Sequence, residues 1–506
     1  MSKDAAITTP LDDALEQRHP PGLRTLFFTE LWERMSYYGM RALLILFMVA
    51  AVEDGGLGFD EKNAAAIYGI YSAAVYLLAL PGGWIADRLL GQQNAVWYGG
   101  IIIALGHFTM ALPMFTPVTD LTAFFSGLVL IVIGTGLLKP NISTIVGELY
   151  PNGGARQDAG FTIFYMGINL GAFAGPLISG WLGENIDWHY GFAAAGVGMV
   201  IGLIQYRLSR HKLGEAGLYP HHGGMSEAAI RLSWIGLLFF VAVVALLLAL
   251  GLSGRVHFPA VELAHGTKYF IITVAAIFFG YVLFFGGLDR DEKRRVLVIA
   301  ALFVGAAMFW AGFEQAGTSL NLFAERYTER VFGSFTLPAS WFQSLNPLFI
   351  ITLAPVFAWG WVQLARRHLE PSTPLKFALG FFLLAAGFLV MVLAAKLVAG
   401  GEKALPFWLI LTYLLHTTGE LCLSPVGLSS VTKLAPRRYT SQMMGTWFMG
   451  AALGNVVAGL IAGDFDEGNL AQMPDLFMSI VLTTAGMGIV FVVLTPVLKR
   501  WSRGQE

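Results

Sequence analysis

The chain has 506 residues, 56% of them apolar, with 32 basic and 33 acidic side chains and a formal net charge of −1. Charged residues make up 13% of it, against roughly 25% in soluble globular domains, and mean hydropathy is +0.64. This balance excludes a soluble enzyme, a disordered chain and a nucleic-acid binder, and leaves a polytopic protein whose surroundings are the lipid bilayer.

The single cysteine, Cys422, has no intrachain partner for a disulfide. The abundant glycine (59 residues) suits closely packed membrane helices. Residues 1–22 are polar and carry Lys3 and Arg18. They lack the apolar core of a cleavable signal and read as a cytoplasmic N-terminal segment.

Apolar runs long enough to cross about 30 Å of hydrocarbon then recur at 23–52, 62–90, 93–113, 120–148, 158–184, 190–209, 230–252, 267–288, 295–323, 340–366, 374–399, 406–433, 440–464 and 475–498. The runs are continuous and not alternating, which predicts helices and not barrel strands. The expected fold is therefore an all-α integral membrane protein with 14 transmembrane helices. Of the 32 lysines and arginines, 22 fall in segments on the N-terminal side of the membrane, six in the opposite loops and four (Arg34, Arg41, Lys139, Lys396) within spans. That bias places both termini in the cytoplasm.

The stretch 211–229 is polar and holds His211, His221 and His222. The two spans after it carry almost no polar residues in the membrane, and a charged loop, Asp289 to Arg295, follows them. The plan is six spans (23–210), a linker with an inserted pair (211–290) and six more spans with a short cytoplasmic tail (291–506). Two six-helix bundles facing each other across a central cavity fit this plan. The inserted pair shows no chemistry and reads as peripheral packing.

Ionisable groups within the bilayer are costly, and so point to function. In the first span, Glu30, Glu33, Arg34, Tyr37, Tyr38 and Arg41 fall within about 140° of one helix face at about 100° per residue. Arg41 lies too far along the span to be an interfacial residue, so the face reads as a polar seam on a water-filled cavity. The fourth span carries Lys139-Pro140-Asn141, and the fifth carries Asn169 within a Gly167, Gly171, Gly175 series that suits helix packing. In the ninth span, Trp310, Glu314, Thr318 and Asn321 share a face of a continuous helix. The tenth has Asn346-Pro347, and the twelfth has His416, Glu420 and Ser424 at successive i+4 steps. His107, His189 and the 211–222 histidines read as loop or interface residues and not as proton carriers.

Four intramembrane acids (Glu30, Glu33, Glu314, Glu420) face three bases (Arg34, Arg41, Lys139). One surplus carboxylate can carry a proton, and competition for a basic neighbour is a way to switch it. Separate basic and acidic groups also suit a zwitterion. No paired metal-ligand histidine motif, no Gly-x-Ser-x-Gly elbow and no nucleotide loop is present, so neither an enzyme nor a cofactor is expected.

Gly82-Gly83-Trp84-Ile85-Ala86-Asp87-Arg88-Leu89-Leu90-Gly91 resembles the Asp-Arg loop motif of the major facilitator superfamily. Glu30-x-x-Glu33-Arg34, Lys139-Pro140-Asn141, Phe164-Tyr165 with Ile168-Asn169, Phe313-Glu314-Gln315 and Gly419-Glu420-Leu421 with Ser424-Pro425 follow the order found in one branch of it. Together, over about residues 23–498, they resemble the proton-dependent oligopeptide transporter family of bacterial type, which inserts two helices between its six-helix bundles.

The resemblance implies a proton-coupled symporter that imports di- and tripeptides by alternating access in the inner (plasma) membrane. Protons would be the coupling ion, and no obligate protein partner is implied. Glu30, Glu33, Arg34, Lys139 and Glu314 would couple protons. Arg41 and Glu314 would form a protonation-sensitive latch, and Arg41 and Lys139 would face the peptide carboxylate. Glu420 would receive the amine, and Asn169 and Asn346 would bond the termini or backbone. Tyr37, Tyr38, Tyr76, Trp310 and Trp447 would line side-chain pockets, with Ser424 in the same site. Asp87 and Arg88 would gate the cytoplasmic side. The competing expectation is a proton-coupled facilitator for another small anion or a peptide-like drug. Glu420 argues against the anion, which has little use for an amine-binding acid.

Overall fold

The structure is a computed structural model and describes residues 18–220, 225–465 and 470–502. Lys3, His221, His222 and Arg503 lie outside them. Six helices come first: α1 (Pro21–Val49), α2 (Glu61–Ile85), α3 (Gln92–Ala111), α4 (Asp120–Glu148), α5 (Ala155–Asn185) and α6 (Trp188–Ser209). The inserted pair is α7 (Glu227–Leu252) and α8 (Ala260–Phe285). Next come α9 (Arg290–Phe313) and a short α10 (Ser319–Tyr327), which share one span, and a small hairpin of β1 (Val331–Phe332) and β2 (Phe335–Thr336). The remaining helices are α11 (Leu345–Arg366), α12 (Thr373–Ala399), α13 (Pro406–Leu434), α14 (Thr440–Ala462) and α15 (Met473–Trp501). The 14 spans expected from the sequence are all present.

Local chemistry sets many of the boundaries. Pro21, Pro374, Pro406 and Pro474 open their helices where no backbone donor is needed. Asp60, Thr119 and Ser226 accept a backbone N–H from the first turns of α2, α4 and α7, and Asp289 with Glu292 makes a capping box on α9. Among the described residues, twelve helical stretches are long and apolar enough to cross a membrane. α1 and α13 are of spanning length, 29 residues each, but are outside that set. They are also the helices that carry the triad of α1 and Glu420, so polarity within a span marks the site.

Close helix approach is the work of the glycines. Gly167, Gly171 and Gly175 of α5 run along α1, where a Cβ would meet the carbonyl oxygens of Phe27, Leu31 and Met35 at 3.0, 2.2 and 2.4 Å. These glycines pack helices, as expected. Gly69 of α2 and Gly459 of α14 do the same between the two ends of the chain, with a Cβ on Gly459 falling 2.4 Å from the Ala65 carbonyl oxygen.

Two expectations need correction. The ninth span is not one continuous helix. It breaks over Glu314–Gly317, a 3-10 turn, and Thr318 adopts φ −125° and ψ −99° before α10 resumes. A uniform turn of about 100° per residue therefore does not carry from Trp310 to Asn321. The inserted pair is peripheral only in its first member: α7 has no buried residue, whereas α8 buries Ala264, Ile271, Ala275, Phe279 and Val282 against α2 and α14.

Candidate functional site

The first cluster lies entirely on α1. Glu30, Glu33 and Arg34 are each at most 3% exposed. Arg34 Nε sits 3.0 Å from a Glu30 oxygen and also pairs with Glu33. The spacing explains the geometry: Glu30 is one turn before Arg34, and Glu33 is its neighbour. One oxygen of each carboxylate and one Arg34 amino nitrogen are buried without a protein partner. Two acids share one base, so the triad is one negative charge in excess when both acids are ionised.

Lys139 is half-buried on α4 beside this cluster, within Coulombic reach of Glu30, Glu33 and Arg34. Among the described residues its ammonium makes no direct ion pair with them. It lies over the Tyr76 ring instead, 4.2 Å from the centroid. Pro140 next to it lies inside α4, which continues through it, and Asn141 donates to the Leu137 and Gly82 carbonyl oxygens.

The second cluster joins the two ends of the chain. Arg41 pairs with Glu314 at the break between α9 and α10, and its guanidinium lies over Tyr38 and Tyr68. Asn321 and Gln343 both donate to the Ala42 carbonyl oxygen, at 2.8 and 3.4 Å. The break in the ninth span therefore brings Glu314 and Asn321 to α1 together. It turns Gln315 the other way, to the Ala458 carbonyl oxygen and Ser319.

The third cluster is Glu420 on α13. Asn346 on α11 donates to it at 2.9 Å and to Thr417 at 3.1 Å. The resemblance gives Asn346 the peptide termini or backbone; in this structure its amide bonds Glu420. Glu420 is half-buried and lies within Coulombic reach of Tyr38 and Tyr165 from the facing helices. Ser424 is half-buried one turn further along.

Other predicted residues sit less openly. Asn169 is buried and donates to the Tyr165 carbonyl oxygen of its own helix at 2.9 Å. Tyr37 stacks on Tyr71, and Trp310 is half-buried beside Phe309 and Phe313. Trp447 is buried edge-on against Phe377, over Gly427, and forms core rather than an open wall. Asp87 accepts from Gln92 at 3.1 Å, in the turn that follows α2 with Arg88. His107 was expected at an interface but is fully buried, 2.7 Å from the Ser36 hydroxyl. His189 contacts Asp187 and Asp120 at the start of α6.

Sequence reasoning missed a second set of contacts at the Arg41 end. Glu184 closes α5 and accepts from the Ala339 and Ser340 backbone at 2.7 and 2.9 Å and from the Ser340 hydroxyl at 2.5 Å, with Arg330 at 3.6 Å. Trp341 donates to the Leu177 carbonyl oxygen, Ser344 to that of Phe173, and Arg326 to Glu61. An acid at a span terminus reads as an interfacial residue, so nothing in the sequence marked Glu184 as a partner of the tenth span. These bonds join α2 and α5 to the segments around α10 and α11, at the end where Arg41 of α1 meets Glu314. Towards the other end, Tyr165 and Met166 of α5 and Val356 and Trp359 of α11 are exposed.

The fold and site define a multi-pass membrane transporter of the major facilitator type, with charged residues gathered between two helical halves. A family model described as the POT family matches residues 93–476, and the chain belongs to that family. It is 45% identical over 95% of both chains to the peptide transporter YePEPT of Yersinia enterocolitica subsp. palearctica. It is 39% identical to a di-/tripeptide transporter of Lactococcus lactis subsp. cremoris, over 85% of this chain and 86% of that one. A solved structure of the peptide transporter POT in complex with sulfate superposes with a TM-score of 0.88, at 42% identity and 96% coverage of each chain.

Proposed function

We propose that the chain is a proton-coupled symporter that imports di- and tripeptides across the inner membrane by alternating access, with both termini cytoplasmic. The observation that carries this reading is the separation of charge across the interface. Glu420, held by Asn346, is an acid for an amine. Lys139 offers positive charge on the other half, and Arg41 does so once its pair with Glu314 opens. Every short peptide brings one cationic and one anionic end, whatever its side chains, so fixed anchors for the ends with apolar and aromatic surroundings select peptides broadly.

The triad supplies the proton site. A buried group with two carboxylates and one guanidinium carries one negative charge that no direct ion pair neutralises, with Lys139 only nearby, and a proton on Glu30 or Glu33 removes it. No resident cofactor is needed. The Arg41 pair and the Glu184 bonds hold the outer end shut in this state, and Asp87 and Arg88 gate the inner end. Reopening the outer end breaks the Arg41–Glu314 pair, which protonation of Glu314 makes less costly.

Uptake of labelled dialanine into proteoliposomes, with an inward proton gradient and a negative interior, tests the reading. Concentrative uptake that collapses when protons equilibrate is the expected result. Uptake of a small anion without dialanine uptake would overturn it in favour of an anion carrier.

A further inference from the structure

Between the start of α1 and the end of α6 lies an open groove of about 590 Å³, away from the three charge clusters. Its cations are Arg24, in the first turn of α1, and Lys212, in the one-turn helix 210–213 that folds back beside α1. No carboxylate lines it. Neither cation makes an ion pair among the described residues, and the Arg24 guanidinium lies 5.8 Å from the Phe28 ring centroid. The wall is apolar and open: Phe28, Ile201, Ile204 (55% exposed) and Leu208 (72% exposed).

The floor is fixed by polar bonds between the two helices. Thr25 donates to the Ser209 carbonyl oxygen at 3.3 Å, and Thr29 to the Gln205 side chain at 3.1 Å. Along α6 from Ile201 to Ser209 the rise is about 12 Å at 1.5 Å per residue, most of the roughly 15 Å hydrocarbon depth of one leaflet, and Lys212 lies beyond that helix end. The cations therefore sit at headgroup level and the wall at acyl-chain level.

We propose that this groove binds one anionic phospholipid, with its phosphate between Arg24 and Lys212 and an acyl chain along Phe28, Ile201, Ile204 and Leu208. A free anion has no use for the wall, and a zwitterionic lipid presents no net charge to two unpaired cations. Basic pockets between membrane helices on the cytoplasmic side suit such headgroups. Placing the lipid in the cytoplasmic leaflet rests on the orientation proposed above, while the headgroup preference does not.

The test uses the delipidated full chain in detergent, titrated with phosphatidylglycerol and with phosphatidylcholine of the same acyl chains, with bound lipid read by native mass spectrometry. Phosphatidylglycerol is expected to bind about 25-fold more tightly, about fivefold for each cation. The double variant Arg24→Ala with Lys212→Ala loses that preference, and Arg24→Lys with Lys212→Arg keeps it. Equal binding of the two lipids by the unaltered chain would overturn the proposal without recourse to any variant. A preference that survives in the double alanine variant would overturn this location. Displacement of the lipid by excess inorganic phosphate, with short-chain and long-chain phosphatidylglycerol equal, would show a free-anion site and overturn the lipid assignment.

Discussion

Two carboxylates and one guanidinium meet at Glu30, Glu33 and Arg34, all on α1. Two turns beyond the triad on the same helix, Arg41 meets Glu314 from the other half of the molecule. The triad is complete within one helix, so rocking of the halves leaves its members together, and its charge changes only with a proton. The pair is neutral as it stands, and separating the halves leaves both of its charges without their partner, which is strongly unfavourable in a dry site. In the proposed function the first cluster titrates and the second opens. A carrier that couples a proton to a conformational change needs both, joined by a rigid element, and α1 is that element.

The sharpest way to break the comparison is to prevent the Arg41 end from closing while leaving every charge in place. Gly459→Val puts a side chain where a Cβ already falls 2.4 Å from the Ala65 carbonyl oxygen. The expected outcome is loss of uptake, with a longer distance between spin labels at the exposed positions 53 and 402. Unchanged uptake would show that the contact of α2 with α14 is not part of the gate.

A smaller effect separates binding from both clusters. Glu420→Ala removes a charge-assisted bond worth about 1.5–3 kcal/mol, so the KM for dialanine rises roughly 10- to 150-fold. N-acetylated dialanine, which lacks the amine, should bind the variant and the unaltered chain equally weakly. A further loss for the blocked peptide would remove Glu420 from the role of amine anchor.

Glu314→Gln keeps a hydrogen-bond acceptor for Arg41 and removes the charge. The ratio of closed to open at the Arg41 end should fall about tenfold, since a charged bond exceeds a neutral one by about 1.4 kcal/mol. The same spin labels read it. An unchanged distance distribution would assign closure to the Glu184 bonds instead.

The smallest expected effect lies outside the membrane. Asp60 caps α2 through the Asn63 side chain and backbone, and those bonds hold its carboxyl below the usual range. Its contribution is therefore present above its unfolded pKa and lost as pH falls through the lower folded value. Asp60→Ala should cost about 1 kcal/mol at neutral pH, as loss of a helix cap does. The difference in detergent melting temperature should vanish in strong acid.

The charges of the site were legible because each is expensive where it sits. A span containing Glu30, Glu33, Arg34 and Arg41 has no bland explanation, and periodicity put them on one face. The break after Phe313 was not legible: Glu314–Gly317 contains no proline, and the turn is held by tertiary bonds from Gln315 to Ala458 and from Asn321 to Ala42. Trp447 and Asn346 show a similar limit. Their residue types fit a binding wall and a peptide contact, yet packing on Phe377 and bonding to Glu420 decide where they point. His107 was misplaced because a histidine near a span end suits an interface, and only the Ser36 hydroxyl from α1 gives it a reason to be buried.

On the proposed reading, the triad moves the proton and the Arg41 pair moves the halves. Glu33→Gln tests it most directly when concentrative dialanine uptake and dialanine exchange are measured on the same proteoliposomes. At 100 mV one translocated charge is worth about 2.3 kcal/mol, an accumulation of roughly 50-fold. This accumulation is expected to disappear in Glu33→Gln while exchange continues. Accumulation at the unaltered level in the variant would contradict it.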